Sequence, residues 1–150
     1  MIKRIDIQVR EVAEQIYQLQ RKSYQVEAEL IQFECLPPLV ETIEQLRSTE
    51  EIFFSYVVKG QIIGAISIER NKTTIDICRL MVDPSYFRRG IARQLLQHIE
   101  SSTPSIYHYS VSTGAANKPA IQLYESVGFC KQSFELKEGL LLVHLHKYTE

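Results

Sequence analysis

The hydrophobic pattern of the chain changes period several times, and each change marks an element. The alternating segment IKRIDIQV (residues 2–9) predicts a first strand. From Glu11 onward Val12, Ile16, Leu19, Ser23, Val26 and Leu30 fall at helical spacing and form one stripe. That helix is expected to end near ECLPP, where Pro37 and Pro38 open a second short helix striped by Leu39, Ile43 and Leu46. Two apolar runs, IFFSYVV and IIGAISI, meet at Lys59-Gly60-Gln61 and read as a β-hairpin. TIDICRLMV follows a polar turn; it is apolar on both faces and is expected at the centre of a sheet.

Beyond Pro84 a helix carries Ile91, Ala92, Leu95, Leu96 and Ile99 on one face. SIYHYSV reads as a strand, STGAANKP as a loop, and AIQLYESVGF as a short helix ended by Gly128 in a left-handed cap. CKQSFEL and LLLVHLHKY close the chain as two further strands. There is no internal repeat or linker. The order predicts one domain over residues 1–150, of mixed α/β (α+β) class, with a mixed sheet of about seven strands flanked by about four helices.

Composition narrows the function classes. A chain that is 45% hydrophobic and 23% charged is globular rather than disordered. A net charge of −1 supplies no global field for nucleic acid or an anionic membrane, so neither is expected as a partner. Cys35, Cys78 and Cys130 form neither a CxxC pair nor a metal spacing. With no apolar stretch of signal-peptide or membrane-spanning length, a reduced, cytoplasmic protein is expected.

The candidate chemistry begins at VDPSYFRRGIARQLL (residues 82–96). The first amides of a helix lack intrahelical acceptors and carry the positive end of the dipole, so a strand-to-helix turn there can cradle an anion. Gly90 permits close approach, Ala92 keeps it open, and Arg88, Arg89 and Arg93 add charge. A solvated basic turn is the plain alternative. Neither GxxxxGK[ST] nor GxGxxG is present, which sets aside P-loop and dinucleotide folds.

This segment is similar to the pyrophosphate-binding motif of the GNAT superfamily of acyl-CoA-dependent N-acyltransferases, Gln/Arg-x-x-Gly-x-Gly/Ala. Gly90 and Ala92 match, whereas Phe87 stands where the family has Gln or Arg. NKPAIQLYESVGF resembles the family's later motif through Asn117, Ala120, Tyr124, Gly128 and Phe129. The resemblance covers essentially the whole chain and implies the GNAT fold, with acetyl-CoA as cosubstrate in a cleft between two splayed parallel strands.

By that resemblance the backbone of Leu80, Met81 and Val82 would meet the pantetheine arm and acyl carbonyl. Arg88, Arg89, Gly90, Ile91, Ala92 and Arg93 would hold the pyrophosphate, and Asn117 would hydrogen-bond the cofactor. Tyr124 would protonate the departing thiolate, its alternative being an aromatic core residue. Asp76 stands where some members carry a glutamate base; in unbroken alternation it shares a face with Cys78 and Leu80, and pairing with Arg79 is its alternative. Glu27, Glu29 and Glu34 would face a cationic amine or merely solvent. His108 is a candidate proton relay, its favoured alternative being a partly buried, neutral histidine. His144 and His146 alternate on the last strand, but no third ligand accompanies them, so no metal is expected. A buried, inert Cys78 is favoured over an acyl-cysteine route.

Two functional readings follow. One is an N-acetyltransferase acting on a primary amine, with a small-molecule acceptor expected. The other is a non-catalytic acyl-CoA sensor. The closing strands offer an edge through which a homodimer could pair.

Overall fold

The computed structural model describes residues 1–149 and is built on one seven-stranded sheet. Strand β1 (Ile2–Ile5) is shorter than its alternating pattern, because the chain turns at Asp6 before helix α1 (Arg10–Ile31) begins. The predicted proline-led helix divides into α2 (Pro37–Val40) and α3 (Ile43–Ser48). Thr42 restarts the helix through a reciprocal capping box with Gln45. Then come β2 (Ile52–Val58), β3 (Gln61–Arg70), β4 (Thr74–Val82), α4 (Ile91–Ser102), β5 (His108–Gly114), α5 (Lys118–Ser126), β6 (Cys130–Lys137) and β7 (Leu140–Tyr148). Among the described residues there are seven strands and five α-helices, one helix more than expected because α2 and α3 are separate, and the predicted class holds.

The strand order is β1-β2-β3-β4-β5-β7-β6, so TIDICRLMV does lie at the centre. Every neighbouring pair is antiparallel except β4 and β5, whose parallel pairing requires the α4 crossover. α1 covers one face of the sheet. There Ala13, Ile16 and Leu19 pack with Phe53, Ala65 and Met81. α4 and α5 cover the other face, where Leu95, Leu96, Ile99, Ile121 and Tyr124 pack with Ile66, Ile75, Ile77 and Val111. β3 is buried from Ile63 through Ile68 because both its faces are covered. At Gly64 an added Cβ would lie 3.0 Å from Ile91 Cγ2, so the missing side chain lets α4 begin directly over the sheet.

Two irregularities shape the centre. Opposite Ser67 and Ile68, β4 holds one extra residue, Cys78, between Ile77 and Arg79. Ile77 therefore packs toward α4, while Arg79 and Met81 face α1. This corrects the unbroken count: Asp76 and Cys78 share their face with Arg79, and Leu80 packs on the opposite side. The second irregularity is a wedge. Pairing of β4 with β5 stops at Ile77–Val111, although both strands continue, to Val82 and Gly114.

Candidate active site

The wedge opens into a cavity of about 1050 Å³. α1 contributes Ser23, Tyr24, Val26, Glu27 and Leu30; β4 contributes Cys78, Arg79, Leu80 and Val82; and β5 contributes Ser112, Thr113 and Gly114. Asn117, Ala120 and Tyr124 of α5 close one side, and Leu140 and Leu142 of β7 another. The exposure of Val26 and Leu30, 38% and 51%, marks where the α1 stripe leaves the core and becomes cavity wall.

At the end of β4 the chain passes through a 3₁₀ turn at Pro84–Tyr86, capped by Asp83, and then reaches the basic turn. Arg88 (φ 64°) and Gly90 (φ 75°) are both left-handed, with Arg89 between them outside that region. Left-handed residues in a turn that feeds a helix N-terminus are an ingredient of the concavities in which backbone amides bind anions. Nothing within the protein lies within 4 Å of a Cβ placed on Gly90, so the space before α4 is open. Arg88, Gly90, Ile91, Ala92 and Arg93 line the cavity. Arg89 does not: its guanidinium stacks over the Tyr86 ring at 5.0 Å. Arg93 donates to Ser126 Oγ at 2.7 Å and bridges α4 to α5.

Leu80 and Val82 turn their amides into the wedge, where α1 meets them: Leu80 N–H donates to the Tyr24 hydroxyl (3.3 Å) and Val82 N–H to Ser23 Oγ (3.2 Å). Met81, between them, is buried against α1 and is absent from the lining. Asn117 caps α5 by accepting from Ala120 N–H at 3.2 Å, which leaves its NH₂ group facing Thr113 and Glu27.

Tyr124 is 6% exposed and packs edge-on against Phe129, with ring centroids 5.7 Å apart. Its hydroxyl finds no hydrogen-bond partner among the described residues and belongs to the cavity lining. Burial first, then Tyr24 and Glu27, push this phenol far above its usual pKa, so it holds its proton. Tyr24 behaves the same way, again chiefly through burial. Two protonated phenols thus border the wedge. Only Tyr124 was legible in sequence, because Tyr24 sits on a helix read for its apolar stripe.

Glu27 also lines the cavity, and burial raises its carboxyl from 4.5 to about 7 against the opposing pull of the Asn117 amide. The folded chain therefore holds a proton there that the unfolded chain releases. This stabilising contribution is complete below about 4.5 and is lost as pH rises through about 7. Glu27→Gln is expected to melt higher than the parent above neutrality, with the gain vanishing in acid. Melting curves across pH would read the difference, and equal curves throughout would contradict it.

Asp76 is not among the cavity-lining residues. Its carboxylate accepts from Ser110 Oγ at 2.8 Å, and burial raises its pKa, with Glu69 and Glu51 adding to the rise against that hydrogen bond. Its expected alternative partner, Arg79, is committed elsewhere. Arg79 is 9% exposed and chelates Glu41 (2.6 and 2.9 Å), reaches Glu51 at 2.9 Å and donates to Gln20 at 2.8 Å. One guanidinium and two carboxylates leave this cluster with a net charge of −1, and Glu41, Glu51 and Arg79 all line the cavity. Cys78 lies beside Asp76 and Glu69; burial and those carboxylates push its thiol pKa up, so it is a poor nucleophile.

The histidines are organised by the sheet. His108 Nε2 and His146 Nδ1 lie 2.7 Å apart in a stack with Tyr148, and burial, with His108 and His144 nearby, lowers the His146 pKa. His144 instead joins Ser112 and Glu135. Among the described residues, the group of three potential ligand atoms lying within 4.8 Å of one another is that of Glu69, Asp76 and Cys78. No helix among the described residues is long and apolar enough to cross a membrane.

Residues 13–129 match the model of the acetyltransferase (GNAT) family. The chain belongs to that family. It is 36% identical over 140 residues to the UPF0157 protein YqkA of Bacillus subtilis, an alignment covering 93% of this chain but only 41% of that protein. The chain thus spans about two fifths of that relative's length. In fold, this GNAT chain is similar to the ribosomal-protein-S18-alanine N-acetyltransferase of Escherichia coli (TM-score 0.80, 17% identity, covering 99% of this chain and 92% of that one). It is equally similar to the PaiA N-acetyltransferase of Thermoplasma acidophilum, solved with coenzyme A (TM-score 0.79, 17% identity, 99% and 98% coverage).

Proposed function

We propose that the chain is an N-acetyltransferase that moves acetyl from acetyl-CoA directly to the primary amine of a small molecule. The observation that carries this reading is the distribution of charge along one cavity. Beyond the end of β4 the lining is basic, with Arg88, Arg93 and the α4 amides; beside the middle of β4 it is acidic, with Glu27 and the net-negative Arg79 cluster. Such a cleft suits a polyanionic cosubstrate on one side and a cationic amine on the other. The open Gly90 turn fits a pyrophosphate, and the wedge amides of Leu80 and Val82 fit a pantetheine arm and acyl carbonyl. Phe87, 41% exposed in the lining, adds no side-chain hydrogen bond to this cradle, which leaves the backbone and Arg88 to carry it.

Acetyl-CoA supplies the thioester that is cleaved. Tyr124, held protonated, gives its proton to the departing sulfur. The acidic wall receives the ammonium, whose usual pKa near ~10.4 means that a base must remove a proton before attack. Asp76, outside the lining, stands as a candidate base acting through water, and Glu27 as a second candidate inside the cavity. Cys78 takes no acyl group, since its thiol stays protonated. The three unpaired cysteines agree with a reducing, cytoplasmic setting. Two copies would pair along the free edge strand β6, where Phe134 and Leu136 are 62% and 72% exposed.

A thiol-release assay with acetyl-CoA and a panel of alkylamines, phenethylamine and spermidine tests the reading, run beside a thermal shift with CoA alone. Stabilisation with release establishes the transferase; stabilisation without release makes the domain a sensor. Gly90→Ala should weaken the CoA-induced shift and cost about 1 kcal/mol from its left-handed backbone. An undiminished CoA shift would move the anion site away from this turn.

A further inference from the structure

On the face of the sheet left open beyond α1, a polar chain runs outward from the cavity. Ser112 of β5 lines the wedge just past the last β4–β5 pair. Its Oγ lies 2.6 Å from His144 Nδ1 on β7, and His144 Nε2 lies 2.9 Å from Glu135 Oε1 on β6. The register explains the alignment: Ser112 pairs with His144, and His144 in turn faces the bulged segment of β6 near Ser133. Side-chain exposure is 28% at His144 and 52% at Glu135, so the chain ends in solvent. This chain connects the lining of the wedge to bulk water.

We propose that Ser112, His144 and Glu135 form the proton exit of the cleft, and that His144 is the base that takes the acceptor's ammonium proton through the Ser112 hydroxyl. This rests on the acetyltransferase reading above. An ammonium N–H passes its proton to Ser112 Oγ as the Ser112 hydroxyl proton moves to His144 Nδ1. The imidazolium charge is then met by Glu135, and the proton leaves to water. The free amine forms the N–C bond as the C–S bond breaks. The second N–H proton, released by the same route, balances the one that Tyr124 gives to sulfur and later recovers from solvent. The geometry assigns one tautomer: Nε2–H donating to Glu135, with Nδ1 bare to accept from Ser112.

Other charges face His144 from each neighbouring strand. These are Asp76 on β4, His146 beside it on β7 and His108 beyond on β5.

The test compares the parent with His144→Asn, Ser112→Ala, Ser112→Thr and Glu27→Gln, using acetyl-CoA and the best amine of the panel from neutral to alkaline pH. His144→Asn and Ser112→Ala should each lose about 10²-fold in kcat near neutrality, with KM for acetyl-CoA unchanged. The loss should close at alkaline pH, where the amine frees itself, and Ser112→Thr, which keeps the hydroxyl, should be restored. Parental pH profiles in both variants, or a pH-dependent loss in Glu27→Gln instead, overturn the relay while leaving the transferase standing. If the parent transfers nothing, the transferase reading falls by itself. Nitrogen NMR of the His144 ring then decides the relay geometry without turnover: an Nε2–H tautomer upholds it, and an Nδ1–H tautomer overturns it.

Discussion

Arg79→Met is expected to be the most damaging single substitution in the chain, lowering stability by about 3 kcal/mol and the melting temperature by roughly 10 °C. Arg79 binds Gln20 of α1, Glu41 between α2 and α3, and Glu51 before β2, while lying 5.5 Å over the Phe53 ring. Glu51 is further tied to Ser67 of β3 at 2.6 Å. Removing the guanidinium leaves two carboxylates, 18% and 15% exposed, facing each other without a cation. The pH dependence identifies the cause. Burial raises the Glu51 pKa, but Arg79, Ser67 and Thr49 overcome that and leave it below its ordinary value. A depressed carboxyl contributes stability that is present above its unfolded pKa and lost as pH falls through the folded one. Parent and variant should therefore converge in acid. Adding Glu41→Gln and Glu51→Gln to the variant should recover part of the loss at neutral pH. Equal destabilisation at every pH, unrelieved by the amides, would mean lost packing rather than unpaired charge.

Tyr124→Phe should leave the fold and the CoA-induced thermal shift nearly unchanged while lowering kcat about 10²-fold. The hydroxyl has no partner among the described residues whose loss would strand a buried group, so the structural cost stays small. The ring, packed on Phe129, remains. Tyr24 tests specificity. It borders the same wedge, but its hydroxyl is engaged by the Leu80 amide, so Tyr24→Phe should affect stability and cosubstrate affinity more than turnover. Initial rates and CoA shifts for the two variants separate the roles. Unchanged turnover in Tyr124→Phe would hand the proton donation to Tyr24 or to water.

Much of this architecture was legible in the chain because its signals are local. The periodicity from Val12 to Leu30, the apolar run of β4 and the Asn117–Phe129 segment each carry their own evidence. Other features depend on pairing between distant segments. The extra residue at Cys78 appears only against Ser67 and Ile68 of β3, and it alone decides which face Asp76 uses. His144 read as half of an incomplete metal pair until β5 and β6 placed Ser112 and Glu135 on either side of it. The strand β5 begins three residues later than SIYHYSV suggested and runs through Gly114, which converts part of a presumed loop into cavity wall. Arg79 offered one overlooked signal, since an arginine within an apolar central strand demands buried partners. Their identity, 28 to 59 residues away, lay beyond local reading.

The hydroxyls of Ser23 and Tyr24 on the β4 amides make the second half of α1 an internal competitor for the wedge. A cosubstrate arm that uses those amides must first evict the helix's own oxygens, and two donors change partners rather than gain them. Its measured affinity is then a difference between two occupants of one strand edge. Anything that loosens α1, including the loss of its Gln20 tie to Arg79, should tip that exchange toward the incoming ligand.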